Sequence, residues 1–263
     1  MKISIIIVSW QVRDLLEKCL QSILKNSLSA QTEIFVVDNN SDDGTIDMVR
    51  EKFSSVKVVA NKKNLGFAMA NNIALRQATG DYILFLNPDT ELFSDTLQKA
   101  VDFMTTHKGA GMVGCRLVFP DGSFQPSVRR FPTWWPIFLM LLKLPKFFSH
   151  LKPIEKYLAV DFDYEKEGSV DQVMGAFMFT RQSSLKKVGE MDERFFIWFD
   201  DADFCLRFWT AGEPVYYTPS FKIIHYQGKS FAQQKVIDKQ WNFFHSAWQY
   251  FIKHGFGYPN FKK

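Results

Sequence analysis

The sequence predicts an α/β domain whose mainly parallel central sheet is flanked by helices, with a helical elaboration at its C-terminal end. Three observations carry that expectation: short, wholly apolar runs, amphipathic segments between them, and turn-forming residues at their junctions. Apolar strands read as buried on both faces, and parallel neighbours need crossover helices to connect them.

Ile3 to Ser9 reads as the first strand. It follows a single lysine and leads into the polar QVRDLLEK with no small-residue cleavage site, so it is expected to be a buried strand rather than a leader. Asp14 to Lys25 then sets Leu15, Leu16, Cys19, Leu20, Ile23 and Leu24 on one helical stripe. Glu33 to Asp38 repeats the strand pattern, the 39–45 segment is a turn, and a short helix runs to about Lys52. Val56 to Val59 is a third strand. Asn64 and Gly66 mark a turn before a helix from about Phe67 to Ala78, closed by Gly80. Tyr82 to Leu86 is the fourth strand, stopped by Pro88, which cannot donate to a ladder. Ser94 opens a helix to about His107.

Past Gly114 the pattern changes. Arg116 to Gln125 reads as a hairpin around Pro120-Asp121-Gly122. A strand is expected at Val173 to Thr180, a helix at Ser183 to Val188, a helix after the acidic Phe199 to Asp203, short strands at Val215 to Tyr217 and Ile223 to Tyr226, and a long helix from Phe231 to Lys253. Residues 1–230 are expected to form one catalytic domain. Within it, 1–114 is a nucleotide-binding half and 115–230 an acceptor half with an insertion at 131–160, while 231–263 packs on that domain or in a dimer contact.

Composition narrows the class. The three cysteines, Cys19, Cys115 and Cys205, are far apart and match neither a disulfide framework nor a zinc spacing, which fits a reducing cytoplasm. No run approaches the roughly 20 apolar residues of a membrane span. The net charge of +4 is uneven: Phe221 to Lys263 holds seven lysines against Asp238, and Arg129 to Lys156 six basic residues against Glu155. With no Arg-rich helix or zinc-finger spacing, nucleic acid is not the expected partner. The Trp- and Phe-rich 134–148 segment suits the surface of a membrane, and a core helix or a contact between two copies competes with that reading.

Ligands of open α/β sheets sit beyond the carboxyl ends of the strands, where Ser9-Trp10, Asp38-Asn39 and Asn87-Pro88-Asp89 all fall. Asp38 either accepts hydrogen bonds from a nucleobase or ribose or caps its own turn. Asp89, stiffened by Pro88, suits a divalent cation that bridges phosphates, since Mg²⁺ takes only one or two protein carboxylates; a plain turn stop competes. Asp200, Asp201 and Asp203 crowd like charges beside Phe195, Phe196, Trp198, Phe199 and Phe204, which needs a helix N-terminus, a cation or a function to compensate. Asp201 is the candidate base. His225 ends an apolar strand before a glycine loop, where a neutral imidazole could be a metal ligand and Lys229 and Ser230 could meet phosphate. No GxGxxG follows the first strand, which argues against a dinucleotide fold.

With these residues assembled, the chain resembles the inverting nucleotide-diphospho-sugar glycosyltransferases of family two, in particular their bacterial rhamnosyltransferase-like branch. The resemblance rests on IIIVSW, EIFVVDNNSDDGT, NKKNLGFAMANN, ILFLNPDT, VDQVMGAFMFTR, VGEMDERFFIWFDDADFCLR and HYQGKS in that order. It implies the Rossmann-like glycosyltransferase A fold and a Mg²⁺ or Mn²⁺ cofactor. It also implies transfer of a sugar, rhamnose from dTDP-rhamnose or a UDP-linked sugar, to a saccharide or polyprenol-linked saccharide at the inner face of the cell membrane, for cell-surface polysaccharide synthesis. By this resemblance Ser9 and Asp38 contact the nucleoside, Asn64 and Gly66 border the donor, and Lys229 lies near it. Asp89 and His225 hold the metal, with Asn87 where relatives commonly carry a further acid. Gly175, Ala176, Trp198 and Asp200 face the acceptor, and Asp201 is the base. Asp200 stands where the family most often has glutamate. A non-catalytic nucleotide-sugar-binding protein of the same fold, a nucleotidyltransferase and a membrane-surface adaptor are the competing classes. The first leaves Asp89, Asp201 and His225 idle, and the second lacks its basic glycine-rich loop.

Overall fold

The structure, a computed structural model, describes residues 1–26, 31–143, 150–228 and 236–260. Lys229, Ser230 and residues 144–148 of the apolar segment lie outside them.

A ten-stranded mixed sheet organises the chain. Strands β1 (Lys2–Ser9), β2 (Gln31–Asp38), β3 (Lys57–Ala60) and β4 (Tyr82–Leu86) are parallel in the order β3-β2-β1-β4. Their register puts Ser9 beside Asp38. The sheet continues through β11 (Phe177–Arg181), antiparallel to both β4 and β6 (Met112–Val118), and then through β12 (Val215–His225), parallel to β6. A three-residue strand, β5 (Thr90–Leu92), closes the far edge antiparallel to β12 and sets Thr90 opposite His225. Strand β7 (Phe124–Gln125) completes the hairpin with β6, and β9 (Gly168–Ser169) pairs with β12. Strands β8 (Val128–Arg129) and β10 (Gln172–Val173) form a separate small ribbon.

Both faces of the sheet are covered, as period-two alternation in wholly apolar strands requires. Ile3, Ile5, Ile7, Ile34, Val36, Leu84 and Leu86 face helices α1 (Arg13–Leu24), α2 (Thr45–Lys52) and α4 (Thr96–Thr106). Ile6, Val8, Phe35, Val37, Ile83 and Phe85 face α3 (Phe67–Leu75), α8 (Asp200–Thr210) and α9 (Val236–His254). Helices α5 (Trp134–Leu141), α6 (Lys152–Tyr157) and α7 (Gln182–Val188) complete the described set.

Several elements differ from the sequence expectation. Helix α3 stops at Leu75, and Gly80 is not its cap: a side chain there would strike the Ser4 backbone of β1. The expected strand at Val173 to Thr180 is two strands, interrupted at Met174 to Ala176, and the two short strands after residue 214 are one strand with a bulge between Thr218 and Lys222. Trp134 to Leu141 is partly core: Pro136, Ile137 and Leu139 are buried, and Trp135 is exposed.

Helix α9 is tied down by a buried charge cluster. Asp203 has no exposed surface, and it accepts from His254 at 2.7 Å and Arg207 at 2.9 Å, with Lys253 at 2.6 Å. Burial opposes ionisation of Asp203, but those three partners more than offset it and hold the carboxyl below its ordinary range. Replacing one member of such a cluster strands the others, so Asp203→Asn is expected to cost about 3–5 kcal/mol in denaturant unfolding; an unchanged midpoint would remove the cluster from this role.

Candidate active site

One cavity of about 470 Å³ opens at the carboxyl ends of the strands, a size suited to a small-molecule ligand. Its wall collects Asn64, Gly66, Asn87, Asp89, Gly175, Ala176, Trp198, Asp200, Asp201 and His225, which lie far apart in sequence. Ser9 and Asp38 are not on that wall, although Val8, Trp10 and Asn39 beside them are.

The strand-tip end is built by β4, β5 and β12. Thr90 closes the Asn87-Pro88-Asp89 turn by donating its hydroxyl to the Asn87 carbonyl at 2.8 Å, and the Tyr226 amide donates to the Asp89 carbonyl at 2.9 Å. These bonds and the Thr90–His225 register bring Asp89 Oδ1 to 3.5 Å from His225 Nε2, with both residues almost wholly buried. The other imidazole nitrogen, Nδ1, lies 2.9 Å from Gln125 Oε1, and the Gln125 amide nitrogen donates to Gln227 Oε1 at 3.0 Å. The glutamine therefore turns its acceptor to the ring, so Nδ1 donates to it and Nε2 is the nitrogen that faces Asp89. A carboxylate oxygen and an imidazole nitrogen this close together are a pair of ligands that a divalent cation can take. Asp89 and His225 thus fit a divalent cation. Among the described residues there is no group of three or more His, Cys, Asp or Glu that could hold one on its own.

Ser9 and Asp38 sit just behind this end, fully buried. Asp38 Oδ2 accepts from the Ser41 amide at 2.9 Å, the turn-capping arrangement, while Asp38 Oδ1 and Ser9 Oγ have no hydrogen-bond partner among the described residues. Buried oxygens left unpaired are costly. The neighbouring loop is fixed by Asn39, which donates to the Gly66 carbonyl at 3.1 Å and accepts from Asn61 at 2.9 Å. Asn64 accepts from the Gly66 amide at 2.9 Å. Gly66 has φ +81°, and a side chain there would overlap the Phe196 backbone.

Across the cavity, Trp198 and Phe199 are both left-handed, with φ of 69° and 61°, and they turn the chain into α8. Left-handed bulky residues cost on the order of 1–2 kcal/mol each, a strain that clusters at functional sites. Their effect is to place Asp200 and Asp201 in the first turn of α8 at the cavity wall. Burial raises both carboxyls above the ordinary aspartate range, and Asp200 is raised further by the charges of Asp201 and Asp203. The rise of Asp201 is opposed by N–H bonds from Ala202 at 2.8 Å and Gly175 at 3.4 Å and by the charge of Arg129. Of the two, Asp201 is therefore the carboxyl that ionises first. Asp203, the third acid, turns away into the α9 cluster.

Sequence reasoning missed three contributors. Gln125 orients His225, Asn39 ties the loop at Gly66, and Arg129 lines the cavity. Asn39 stands in a motif already singled out; Gln125 and Arg129 carry no local signal.

The mixed sheet, the strand-end cavity and the opposed acids define a glycosyltransferase of the nucleotide-sugar type with a glycosyltransferase A-like fold. Residues 4–189 match the model of "Glycosyl transferase family 2", and the chain belongs to that family. The Rhamnosyltransferase WbbL of Escherichia coli (strain K12) is 29% identical over 234 residues, which span 84% of this chain and 82% of that one. The N-acetylglucosaminyl-diphospho-decaprenol L-rhamnosyltransferase of Mycobacterium tuberculosis (strain ATCC 25618 / H37Rv) is 26% identical over 219 residues, 78% of this chain and 71% of the relative. Among solved structures, the mannosyltransferase PcManGT from Pyrobaculum calidifontis, in complex with GDP-Man and Mn²⁺, superposes with a TM-score of 0.62 at 20% identity. It covers 86% of this chain, which spans 57% of that one, and at this identity the likeness speaks for the fold.

Because the loop touching Phe196 needs both a positive φ and no side chain, Gly66→Ala is expected to lower stability by at least about 1 kcal/mol. Thermal unfolding reads this directly, and an unshifted transition would contradict it.

Proposed function

We propose that the protein transfers a sugar from a nucleotide-diphospho-sugar to a hydroxyl of a saccharide acceptor, with inversion, and that Asp201 is the base. The observation that carries this is one cavity that has Asp89 and His225 at the strand tips and, on its α8 wall, the raised carboxyl of Asp201. Asp89 and His225 would hold Mg²⁺ or Mn²⁺, which supplies Lewis-acid stabilisation of the departing diphosphate.

The chain's own residues do the rest. Ser9 and Asp38 offer unpaired oxygens to the nucleoside, and the Asn64–Gly66 loop closes the donor side. Gly175 and Ala176 form the floor between donor and acceptor, with the Gly175 amide holding Asp201 toward it. Asp201 accepts the proton of the attacking hydroxyl, and its raised pKa makes it a stronger base than an exposed aspartate. One base on the acceptor face suffices when the leaving group needs no protonation, and attack opposite that group inverts the anomeric carbon.

For the donor, the names of the two sequence relatives support rhamnose, whereas the similar fold was captured with GDP-Man. A panel of dTDP-rhamnose, UDP-sugars and GDP-mannose, titrated with Mn²⁺, decides among them. For the acceptor, a lipid-linked saccharide is supported by α9, which is apolar on both sides. Ala247, Tyr250 and Phe251 pack inward, while Trp241, Phe244, Trp248 and Ile252 are exposed on one face. Among the described residues no helix is long and apolar enough to cross a membrane, so contact with lipid would be peripheral.

Asp201→Asn is expected to leave nucleotide affinity within about twofold and reduce turnover by about 10² to 10⁴; near-normal turnover would remove Asp201 as base. Because burial raises its pKa, the rate should climb with pH through a value above the ordinary aspartate range, and Asp200→Asn, which removes a group still neutral while Asp201 titrates, should leave that limb in place. A limb shifted downward by Asp200→Asn would show that Asp200 is the carboxyl that ionises first. Asp89→Asn is expected to weaken nucleotide binding at least tenfold in Mn²⁺ but not in EDTA, as read by calorimetry; equal affinity in both would refute its metal role.

A further inference from the structure

The two left-handed residues that lead into α8, Trp198 and Phe199, carry bulky side chains that disfavour this conformation, so something outside the turn must hold it. Much of what holds it lies on one face of α9. Ser246, with almost no exposed surface, donates its hydroxyl to the Ile197 carbonyl at 2.7 Å, immediately before the turn. One turn to either side of Ser246, Phe243 packs on Trp198 with ring centres 5.8 Å apart and on Phe199 at 5.3 Å, and Tyr250 meets Phe199 at 5.7 Å. Residues 243, 246 and 250 are three and four apart, the interval that stacks side chains on one helical face. Further along, Lys253 bridges Asp203 of α8 and Asp192, each at 2.6 Å. From α3, the Phe67 amide donates to the Phe196 carbonyl at 2.8 Å. The carbonyls of Phe196 and Ile197 are thus both engaged, and of these two bonds the one to Ile197 comes from a side chain. Ring contacts tolerate small shifts in angle, whereas a buried carbonyl deprived of its donor must move or find water.

We infer that Ser246 is a positioning residue for the transfer reaction: by fixing the Ile197 carbonyl, its hydroxyl lets α9 set the direction in which α8 presents Asp201 to the cavity. Ser246 is not on the cavity wall, so it acts through the turn and not on a substrate. The inference rests on the function proposed above, in which Asp201 is the base, and it makes the C-terminal helix part of the catalytic apparatus.

Two measurements on the full chain test this. The first needs no substrate: in protein labelled with fluorotryptophan, the fluorine resonance of Trp198 is assigned through its loss in Trp198→Phe. Ser246→Ala should shift or broaden that resonance and leave the one from Trp10, at the tip of β1, in place. Ser246→Thr, which keeps the hydroxyl, should restore it. A Trp198 resonance unmoved by Ser246→Ala would overturn the inference.

The second follows release of nucleoside diphosphate from dTDP-rhamnose, UDP-N-acetylglucosamine and GDP-mannose in Mn²⁺, with water in place of the acceptor hydroxyl. For a donor that turns over, Ser246→Ala should lower kcat by about tenfold to a hundredfold, the scale of a small misplacement of a catalytic group, and leave donor affinity within about twofold. Ser246→Thr should recover most of the rate. Introduced into Asp201→Asn, Ser246→Ala should cause no further loss, because the group it positions is already gone. An equal loss in both backgrounds, or a loss confined to donor affinity, would give Ser246 a merely structural part and overturn the inference. Failure of all three donors to turn over would count against the proposed reaction instead, and the fluorine signal would still decide whether Ser246 holds the turn.

Discussion

The site depends on a very short piece of β-structure. Three residues of β5 pair antiparallel with the end of β12, and that ladder carries Asp89 from the tip of β4 to face His225. Neither side chain could be placed by its own strand alone, because β4 and β12 are separated in the sheet by β11 and β6. Since both groups are buried, the ladder must be rigid to hold them 3.5 Å apart. The Thr90 hydroxyl and the Tyr226 amide give it that rigidity, and the Gln227–Gln125–His225 chain fixes which nitrogen is free.

The opposite wall is held by other means. Two consecutive left-handed aromatic residues aim the start of α8 at the cavity, and the strain is sustained because α8 and α9 are locked together through the Asp203 cluster. The three acids of that first turn therefore divide their roles according to partners. Asp203 is ionised and structural, Asp200 is raised by burial and by its neighbours, and Asp201 receives just enough hydrogen bonding to ionise while remaining basic. Burial tunes the base, whereas the charges of its neighbours act on Asp200.

Much of this was legible in the sequence. The apolar runs at Ile3, Glu33 and Tyr82 became β1, β2 and β4 because an unbroken apolar stretch with turn residues at its end has few other stable uses. Of the residues expected to share a site, Asn64, Gly66, Asn87, Asp89, Gly175, Ala176, Trp198, Asp200, Asp201 and His225 line one cavity, whereas Ser9 and Asp38 do not. What the sequence concealed was non-local. Thr90-Glu91-Leu92 is too short to show a period, and its strand character comes wholly from β12. Gln125 and Arg129 sit in the hairpin and ribbon after β6, where long-range register, not composition, decides which side chain reaches the cavity. Arg129 was visible only as part of a basic region. The apolar 134–141 stretch, by contrast, carried a strong local signal whose meaning was mixed, since three of its eight residues became core.

The central claim is that the tips of β4 and β12 share one cation that grips the donor's diphosphate. Anomalous diffraction at the manganese edge, from crystals grown with Mn²⁺ and a nucleoside diphosphate, tests it most directly. The account predicts one strong peak within bonding distance of both Asp89 and His225 and in contact with the diphosphate. A nucleotide bound in the cavity with manganese elsewhere, or bound with Asp89 and His225 turned away from it, would contradict the account.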